Sequence, residues 1–244
     1  GAQPYQKNTL KHIDLKGRMV LPSFQDVHIH PVSGGVNYTA CPLFDTTSIK
    51  DVQTTVAACA TAQPELKVIR GSGWDWSIFG EDENPEKKYL DAIESSRPVV
   101  IADSDGHTLW LNSAALALAG IDSTTKNPQG GEIGRMTGSM EPDGTLLEGP
   151  AWDLINNILP PISDTERLAG LRYAQTYLNS HGITAVQDAY VRLSGTEPDK
   201  SLPIYKALQE SGELNLRVSA ALYWAPAAGV EQIEPLRQAR LEYS

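Results

Sequence analysis

The sequence predicts an α/β fold in which parallel strands alternate with covering helices. Short apolar runs rich in β-branched residues alternate along the chain with longer segments that place apolar residues at helical spacing. Right-handed crossovers would wind such units into an open sheet or a barrel, and periodicity alone leaves both arrangements open. The chain has 244 residues, of which 41% are hydrophobic, so it can bury a core as one large domain or two small ones.

The first predicted strand ends in the pair His28 and His30. Alternate side chains of a strand share a face, so both imidazoles can aim at one point while Val27 and Ile29 pack on the other side. Two neutral imidazoles that converge in this way make half of a metal site. Asp26 lies on the same face, where we expect it to orient a ligand rather than to be one. The alternative is a pair of polar side chains at a strand end.

Caps and periodicity place the remaining elements. Gly120 ends an alanine-rich segment as a C-terminal cap, and Ser163-Asp-Thr-Glu166 is a capping box that opens a long amphipathic helix. Up to residue 146 the sequence predicts a loop at 31–35 over the metal, a helix at 48–62, a strand at 66–70, a loop at 71–76, a helix at 87–95, a strand at 97–103, a helix at 109–119, and loops with a hairpin at 122–146. It then predicts helices at 149–159, 163–180, 204–211 and 230–243, with strands at 183–188 and 216–224.

Composition limits the partners. A net charge of -10 and a pI of about 4.9 argue against nucleic acid or an anionic membrane surface as the main partner. No apolar run approaches the roughly 20 residues that span a bilayer, so we expect a soluble protein, with the cytoplasmic location favoured over the exported one. Cys41 and Cys59 lack Cys-x-x-Cys spacing, and Cys59 is expected to be a small buried hydrophobe.

The run from Gly17 to His30 resembles the first barrel strand of the amidohydrolase superfamily of metal-dependent hydrolases. The signature of that strand is G-x-x-V-x-P-G-F-x-D-x-H-x-H, and Ser23 stands where the family has Gly. Seven positions match, namely Gly17, Val20, Pro22, Phe24, Asp26, His28 and His30.

Further stretches resemble one branch of the superfamily, amidohydrolase family 3, which includes YtcJ-like and N-substituted formamide deformylase-like proteins. They are Gly71 to Asp75, Arg97 to Leu116, Gly130 to Ile133, and Gly182 to Val186. The resemblance implies a partial (β/α)₈ TIM-type barrel with an inserted small α/β lobe. The expected division is 1–39 for the end of a β-sandwich and the first barrel strand, 40–165 for the lobe, and 166–244 for barrel strands two and three with their helices.

The resemblance also implies a function. It is hydrolysis of a non-peptide C–N bond, amide-like or in a cyclic amide, by a water activated on one or two divalent metal ions, with zinc expected. The family's Lys ligand, second His pair and catalytic Asp would lie beyond Ser244, so we expect an incomplete chain whose own activity is open. The alternative is a truncated, non-catalytic binding or regulatory module of the same fold. We expect a small-molecule substrate, with a homo-oligomer or a complementary C-terminal chain left open.

Other candidate site residues follow from the resemblance and from strand ends. Glu148 matches a Glu that recurs in this branch and is a candidate for the metal or the substrate. The pocket candidates are His107, Trp74, Asp75, Trp76 and Asp188, while His12 and His181 are expected to be structural. The alternative for His107 is a loop His that is hydrogen-bonded to its neighbours. For the two tryptophans the alternative is core packing, and for Asp188 it is a cap of the following loop.

Overall fold

A computed structural model describes residues 13–80, 83–193, 200–225 and 229–243, so His12 lies outside the described residues. The described strands are β1 Phe24–Ile29, β2 Ile69–Trp74, β3 Val99–Asp103, β4 Thr108–Leu111, β5 Glu132–Arg135, β6 Pro142–Leu147, β7 Ile183–Val191 and β8 Arg217–Leu222. The described α-helices are α1 Pro31–Thr39, α2 Ile49–Ala62, α3 Lys87–Asp91, α4 Ser113–Ala119, α5 Gly149–Asn156, α6 Asp164–Ser180, α7 Ser201–Glu210 and α8 Ile233–Glu242. These elements form an α/β structure with two sheets.

The first sheet is parallel throughout, as the alternating pattern predicts. Its strand order is β1-β7-β8, so strands far apart in sequence become neighbours. Leu178, Val186 and Leu216 form a small core against this sheet, and Ile29 and Ile183 pack onto it. Val27 does not pack as expected, because its side chain is 69% exposed. Among the described residues, β1 pairs with β7 alone.

The second sheet is built from the chain between β1 and β7 and has the order β2-β3-β4-β6-β5. Only β2 and β3 are parallel, and the other three pairings are antiparallel, which corrects the expectation of parallel strands throughout. One face of this sheet packs on α2 and α3, and the other packs on α4 and α5.

The predicted helix at 109–119 begins later than expected. Residues 108–111 form β4, in which all four residues are buried between β3 and β6. Asn112 then ends the strand and caps α4, since its Oδ1 accepts hydrogen bonds from the N–H groups of Ala115 and Val99. Burial between two strands outweighed the helical spacing of the apolar residues.

The predicted loop at 31–35 is instead the first half of α1. Pro31 occupies the first turn, where its missing N–H costs nothing. Gly35 lies against Gly170 of α6 so closely that a Cβ built on Gly35 would come within 1.9 Å of the Gly170 carbonyl oxygen. This contact fixes α1, and with it the end of β1, against the long helix whose predicted capping box is present at Ser163.

Cys41 and Cys59 form a disulfide, with their Cα atoms 5.8 Å apart. The prediction that Cys59 is a small buried hydrophobe was therefore wrong, because its sulfur is bonded to Cys41. The bond joins the segment after α1 to α2, inside the core that contains Val52, Val56 and Trp110. Across the described part of the chain, none of the helices has the length and apolarity that a membrane span requires.

Candidate functional site

His28 and His30 lie together at the carboxyl end of β1. Their ring centroids are 5.9 Å apart and the ring planes are inclined at 76°. His30 directly precedes α1, and its carbonyl oxygen accepts the N–H of Gly34 as the helix begins. The structure therefore places both imidazoles next to each other.

A β-bulge shapes the backbone that carries the two histidines. Asp26 is opposite Val186 and Ile29 is opposite Asp188, so three steps along β1 match two steps along β7. The Oδ1 atom of Asp26 accepts the backbone N–H of His28 at 3.0 Å, inside this bulge. Bulges re-aim side chains and are frequent beside active sites. Asp26 thus holds the local backbone that presents His28.

Asp188 lies beneath His30 and is buried, with 2% of its surface exposed. Its Oδ1 is 3.4 Å from the Nδ1 of His30, and its Oδ2 accepts the hydroxyl of Tyr205 at 2.9 Å. Asp188 was expected to line a substrate pocket, with a loop cap as the alternative. In the structure it contacts a buried tyrosine on one side and a candidate metal ligand on the other.

Tyr205 is the residue of this group that the sequence did not indicate. It lies on α7 with Leu202 and Leu208, at the spacing of a buried helix face. That periodicity predicts a core aromatic, and its ring is indeed buried. The separate role of its hydroxyl depends on Asp188, a residue on another element, so periodicity along the helix carried no signal for it.

The two histidines fit half of a zinc site. Two imidazoles on one tetrahedral zinc would place their centroids about 5 Å apart, given Zn–N bonds of about 2.0 Å. The observed 5.9 Å fits a shared ion after a small movement of the side chains. Within the described ranges, no group of three His, Cys, Asp or Glu residues could hold a metal ion. At this position the described residues therefore offer two candidate nitrogen ligands, His28 and His30.

A second group of candidates lies at one end of the five-stranded sheet. His107 Nδ1 is 3.4 Å from the carboxylate of Glu148, and both side chains are exposed. The N–H of His107 bonds to buried Asp103, and its carbonyl accepts the N–H of Glu148 at 2.9 Å. Glu148 has φ 67° and ψ 157°, a conformation that non-glycine residues rarely adopt. The backbone of His107 is thus hydrogen-bonded to its neighbours, and its ring also faces the carboxylate of Glu148.

The remaining candidates differ in their exposure. Trp74 is fully buried, and its Nε1 donates to the carbonyl of Ile101, so it takes the core-packing alternative. Trp76 is 43% exposed and leans on Trp74 with centroids 5.3 Å apart. Asp75 begins the short 3₁₀ turn at Trp76, and hydrogen bonds from Ser77 lower the pKa of its carboxyl below the usual value.

A cleft of about 1020 Å³ lies away from all of these candidates. It is bounded by α1, the start of α6 and the sheet face that carries Val68 and Val100, with Trp152 on its wall. None of the predicted site residues lines it. Its volume alone therefore does not make it the site of the chemistry, and the arrangement around His28 and His30 remains the candidate metal centre.

The chain matches the model of the amidohydrolase family over residues 11–243. The match covers nearly the whole sequence, so the chain belongs to this family, and the resemblance drawn from the His-x-His strand is confirmed. Protein LONG AFTER FAR-RED 3 of Arabidopsis thaliana is 33% identical over 78% of this chain and 32% of its own length. YtcJ of Bacillus subtilis (strain 168) is 26% identical over 99% of this chain and 45% of its own length.

N-substituted formamide deformylase of Arthrobacter pascens is 29% identical over 83% of this chain and 37% of its own length. A crystal structure of an uncharacterized metal-dependent hydrolase from Pyrococcus furiosus matches with a TM-score of 0.58 and 23% identity. That match covers 93% of this chain and 42% of the other, and it shows a shared fold. The chain spans between 32% and 45% of the length of these three relatives.

Proposed function

We propose that this chain is the part of a metal-dependent hydrolase that supplies two histidine ligands to the metal site. The observation that carries the proposal is the pair His28 and His30, whose rings lie 5.9 Å apart at the end of β1. Membership of the amidohydrolase family supports the same reading of the pair. The bulge at Asp26 supports it further, because the local backbone is shaped to present these two side chains.

The metal that we propose is zinc, as one or two ions, because two imidazoles in a partly open site suit zinc. When bound, zinc would lower the pKa of a water molecule and polarise the carbonyl group of the substrate. His28 and His30 would hold the ion through ring nitrogens. His107 and Glu148 would face the substrate, where the exposed carboxylate of Glu148 can accept a hydrogen bond.

The substrate class that we propose is a small molecule with a non-peptide C–N bond, amide-like or in a cyclic amide. The name of the Arthrobacter pascens relative, N-substituted formamide deformylase, supports this class. A shared family does not settle the substrate, since one fold supports many reactions. N-substituted formamides are therefore the first substrates to test on this chain.

For the architecture, we propose that β1, β7 and β8 are the first three strands of a (β/α)₈ barrel. Their parallel order, with long connections between them, supports this arrangement. The proposed inserted lobe at 40–165 contains all five strands of the second sheet. The remaining strands and ligands would come from a complementary C-terminal chain or segment, and a homo-oligomer is the other assembly that we consider.

A zinc titration of the 244-residue chain tests the proposal. We expect calorimetry to detect zinc binding by the wild-type chain, and we expect His28→Ala and His30→Ala each to weaken it at least tenfold. His181→Ala is the matched control, because His181 bonds to the carbonyl of Tyr177 at the end of α6. Equal zinc affinity in all four proteins would show that the pair does not bind the ion, and the proposal would fail.

A second candidate function is a non-catalytic binding or regulatory module of the same fold. The observation that favours it is that no third ligand accompanies His28 and His30 among the residues that the structure describes. Metal analysis and an assay with an N-substituted formamide separate the two functions. Stoichiometric zinc with hydrolysis supports the enzyme, whereas metal-free, inert protein supports the module.

We propose the exported location over the cytoplasmic one that composition favoured. The disulfide between Cys41 and Cys59 supports this change, because such bonds form and persist in oxidising compartments. Alkylation of the protein under denaturing conditions, immediately after its isolation from the native cell, measures the state of both thiols. Two free thiols would support the cytoplasmic location.

A further inference from the structure

We propose that Asp188 and Tyr205 are positioning residues that fix the tautomer of His30, so that its Nε2 lone pair points to the metal. The proposal rests on the proposed function, because it gives these residues a role towards the ion that His30 would bind. Neither residue would touch the substrate. Their effect would be to decide which ring nitrogen of His30 is available.

The geometry places the carboxylate of Asp188 at the Nδ1 atom of His30. Asp188 is the last residue of β7 that pairs with β1, opposite Ile29, and its Oδ1 is 3.4 Å from the Nδ1 of His30. This distance is long for an N–H···O hydrogen bond, as is common in sites that tighten when their ligand binds. The side chain of His30 is 46% exposed, whereas that of Asp188 is 2% exposed. His30 is therefore held from the buried side.

The chemistry of the carboxylate and the imidazole then determines which ring nitrogen of His30 carries the proton. An ionised carboxylate can only accept hydrogen bonds, and a neutral imidazole carries one N–H. The proton of His30 therefore belongs on Nδ1, facing Asp188, and the lone pair belongs on Nε2. A carboxylate behind a metal-binding histidine fixes the tautomer and the ring orientation in many zinc sites, and its loss costs about 10–100-fold in metal affinity.

Tyr205 holds the carboxylate in its turn. Its hydroxyl donates to the Oδ2 of Asp188 at 2.9 Å, while the Oδ1 of Asp188 faces His30. The ring of Tyr205 is buried in a cluster with Leu171, Leu208 and Val32. Val32 is in the first turn of α1, directly after His30. One packed cluster thus fixes both the hydroxyl behind Asp188 and the helix that begins at His30.

The replacement Asp188→Asn tests this arrangement because it should move the proton of His30 from Nδ1 to Nε2. The amide oxygen would accept the Tyr205 hydroxyl, and the NH₂ group would then face Nδ1 of His30. Nδ1 would have to accept, so the proton would move to Nε2 and block the metal bond. The nitrogen-15 chemical shifts of the His30 ring, measured in metal-free protein at about pH 8, report the tautomer directly. Loss of the signals in His30→Gln assigns them.

We expect the wild-type chain to carry the proton on Nδ1 and Asp188→Asn to carry it on Nε2, with zinc affinity reduced about 10–100-fold. Tyr205→Phe alone should keep the tautomer and weaken zinc binding by a smaller factor. Adding Tyr205→Phe to Asp188→Asn should restore part of the affinity, because the amide is then free to turn its oxygen towards His30. A purely structural role of Tyr205 would make the double variant worse instead.

Asp143→Asn is the matched control. Asp143 is a half-buried carboxylate on β6 that accepts the N–H and hydroxyl of Thr145. This variant should leave the His30 tautomer and the zinc affinity unchanged. The inference is overturned if wild-type His30 carries its proton on Nε2, or if Asp188→Asn leaves the tautomer as it was. A correct tautomer in a chain that binds no zinc would support the positioning role and count against the proposed function.

Discussion

Glu148 combines a costly backbone conformation with an exposed carboxylate that lies 3.4 Å from His107. Its φ of 67° and ψ of 157° belong to a region that is nearly exclusive to glycine and costs about 1–3 kcal/mol for other residues. Strained residues of this kind cluster at functional sites, where the surrounding structure holds them in place. The strain therefore supports the proposal that this residue has a function.

We expect Glu148→Gly to raise the free energy of unfolding by about 1 kcal/mol, because glycine adopts this conformation without strain. Glu148→Gln is the control, since it keeps the strain and removes only the charge. It should change the stability by less than about 0.5 kcal/mol. Denaturant unfolding measures both variants, and a destabilised Glu148→Gly would show that the conformation stores no strain.

In contrast to the exposed side chains of His107 and Glu148, Glu94 has a structural role. Its side chain accepts the N–H groups of Ser96 and Arg97 as well as the Arg97 guanidinium. Arg97 in turn donates to the carbonyls of Ala60 and Gln63 at the end of α2. Burial alone would raise the pKa of Glu94, but the hydrogen bonds from Ser96 and Arg97 outweigh it and lower the pKa to about 2.

Because the pKa of Glu94 is lowered, the stability of the protein depends on pH in the acidic range. The ordinary value is 4.5, so the stabilisation by Glu94 is complete above about pH 4.5 and is lost as the pH falls towards 2. We expect Glu94→Gln to lower the free energy of unfolding by about 2 kcal/mol at pH 7 and to flatten this part of the acid profile. Glu65→Gln, at an exposed position, should do neither. If the free energy of unfolding falls equally with acid in the wild type and in Glu94→Gln, Glu94 does not stabilise the protein in this way.

At the scale of elements, the crossing of α1 and α6 determines where the end of β1 lies. Gly35 and Gly170 let the two backbones approach so closely that a Cβ on Gly170 would lie 2.5 Å from the backbone nitrogen of Val36. Gly34, one residue earlier in α1, has open space where its Cβ would be. Two neighbouring glycines of α1 therefore differ, because there is room for a Cβ at Gly34 and none at Gly35.

We expect Gly170→Ala to lower the free energy of unfolding by about 1–3 kcal/mol, because the added methyl group must push the helices apart. Gly34→Ala, the matched control, should raise it by about 0.5–1 kcal/mol through helix propensity. Thermal and denaturant unfolding measure both changes. If Gly170→Ala is as stable as the wild type, the close approach does not limit the packing of these helices.

Local signals predicted some elements well and failed for others. The capping box at Ser163 and the left-handed Gly120 are both present, because each depends on only a few neighbouring residues. The strand at 108–111 was missed because its identity depends on pairing with β3 and β6, which no local pattern contains. The helix at 31–35 was missed because its two glycines were read as loop formers, whereas Gly35 serves a contact with α6.

At the scale of the whole molecule, the sequence predicted the α/β class, the family and the location of His28 and His30. These depend on a contiguous signature, so they could be read from a single stretch of chain. The partners behind His30 could not, because Asp188 is 158 residues away and acts together with Tyr205 on a further element. The disulfide was missed for the same reason, since 18 residues separate two cysteines that only folding brings together.

The position of β1 at the border of its sheet also affects how the isolated chain will behave in solution. Among the described residues this strand pairs on one side only, and several large apolar side chains in and before it are exposed. They are Met19, Val20, Leu21, Phe24 and Val27. Open strand borders with such side chains recruit other strands, so concentrated preparations should aggregate. Because the candidate metal ligands lie on this same strand, aggregates would hide them, and dilute samples are the ones in which ligand binding should be studied.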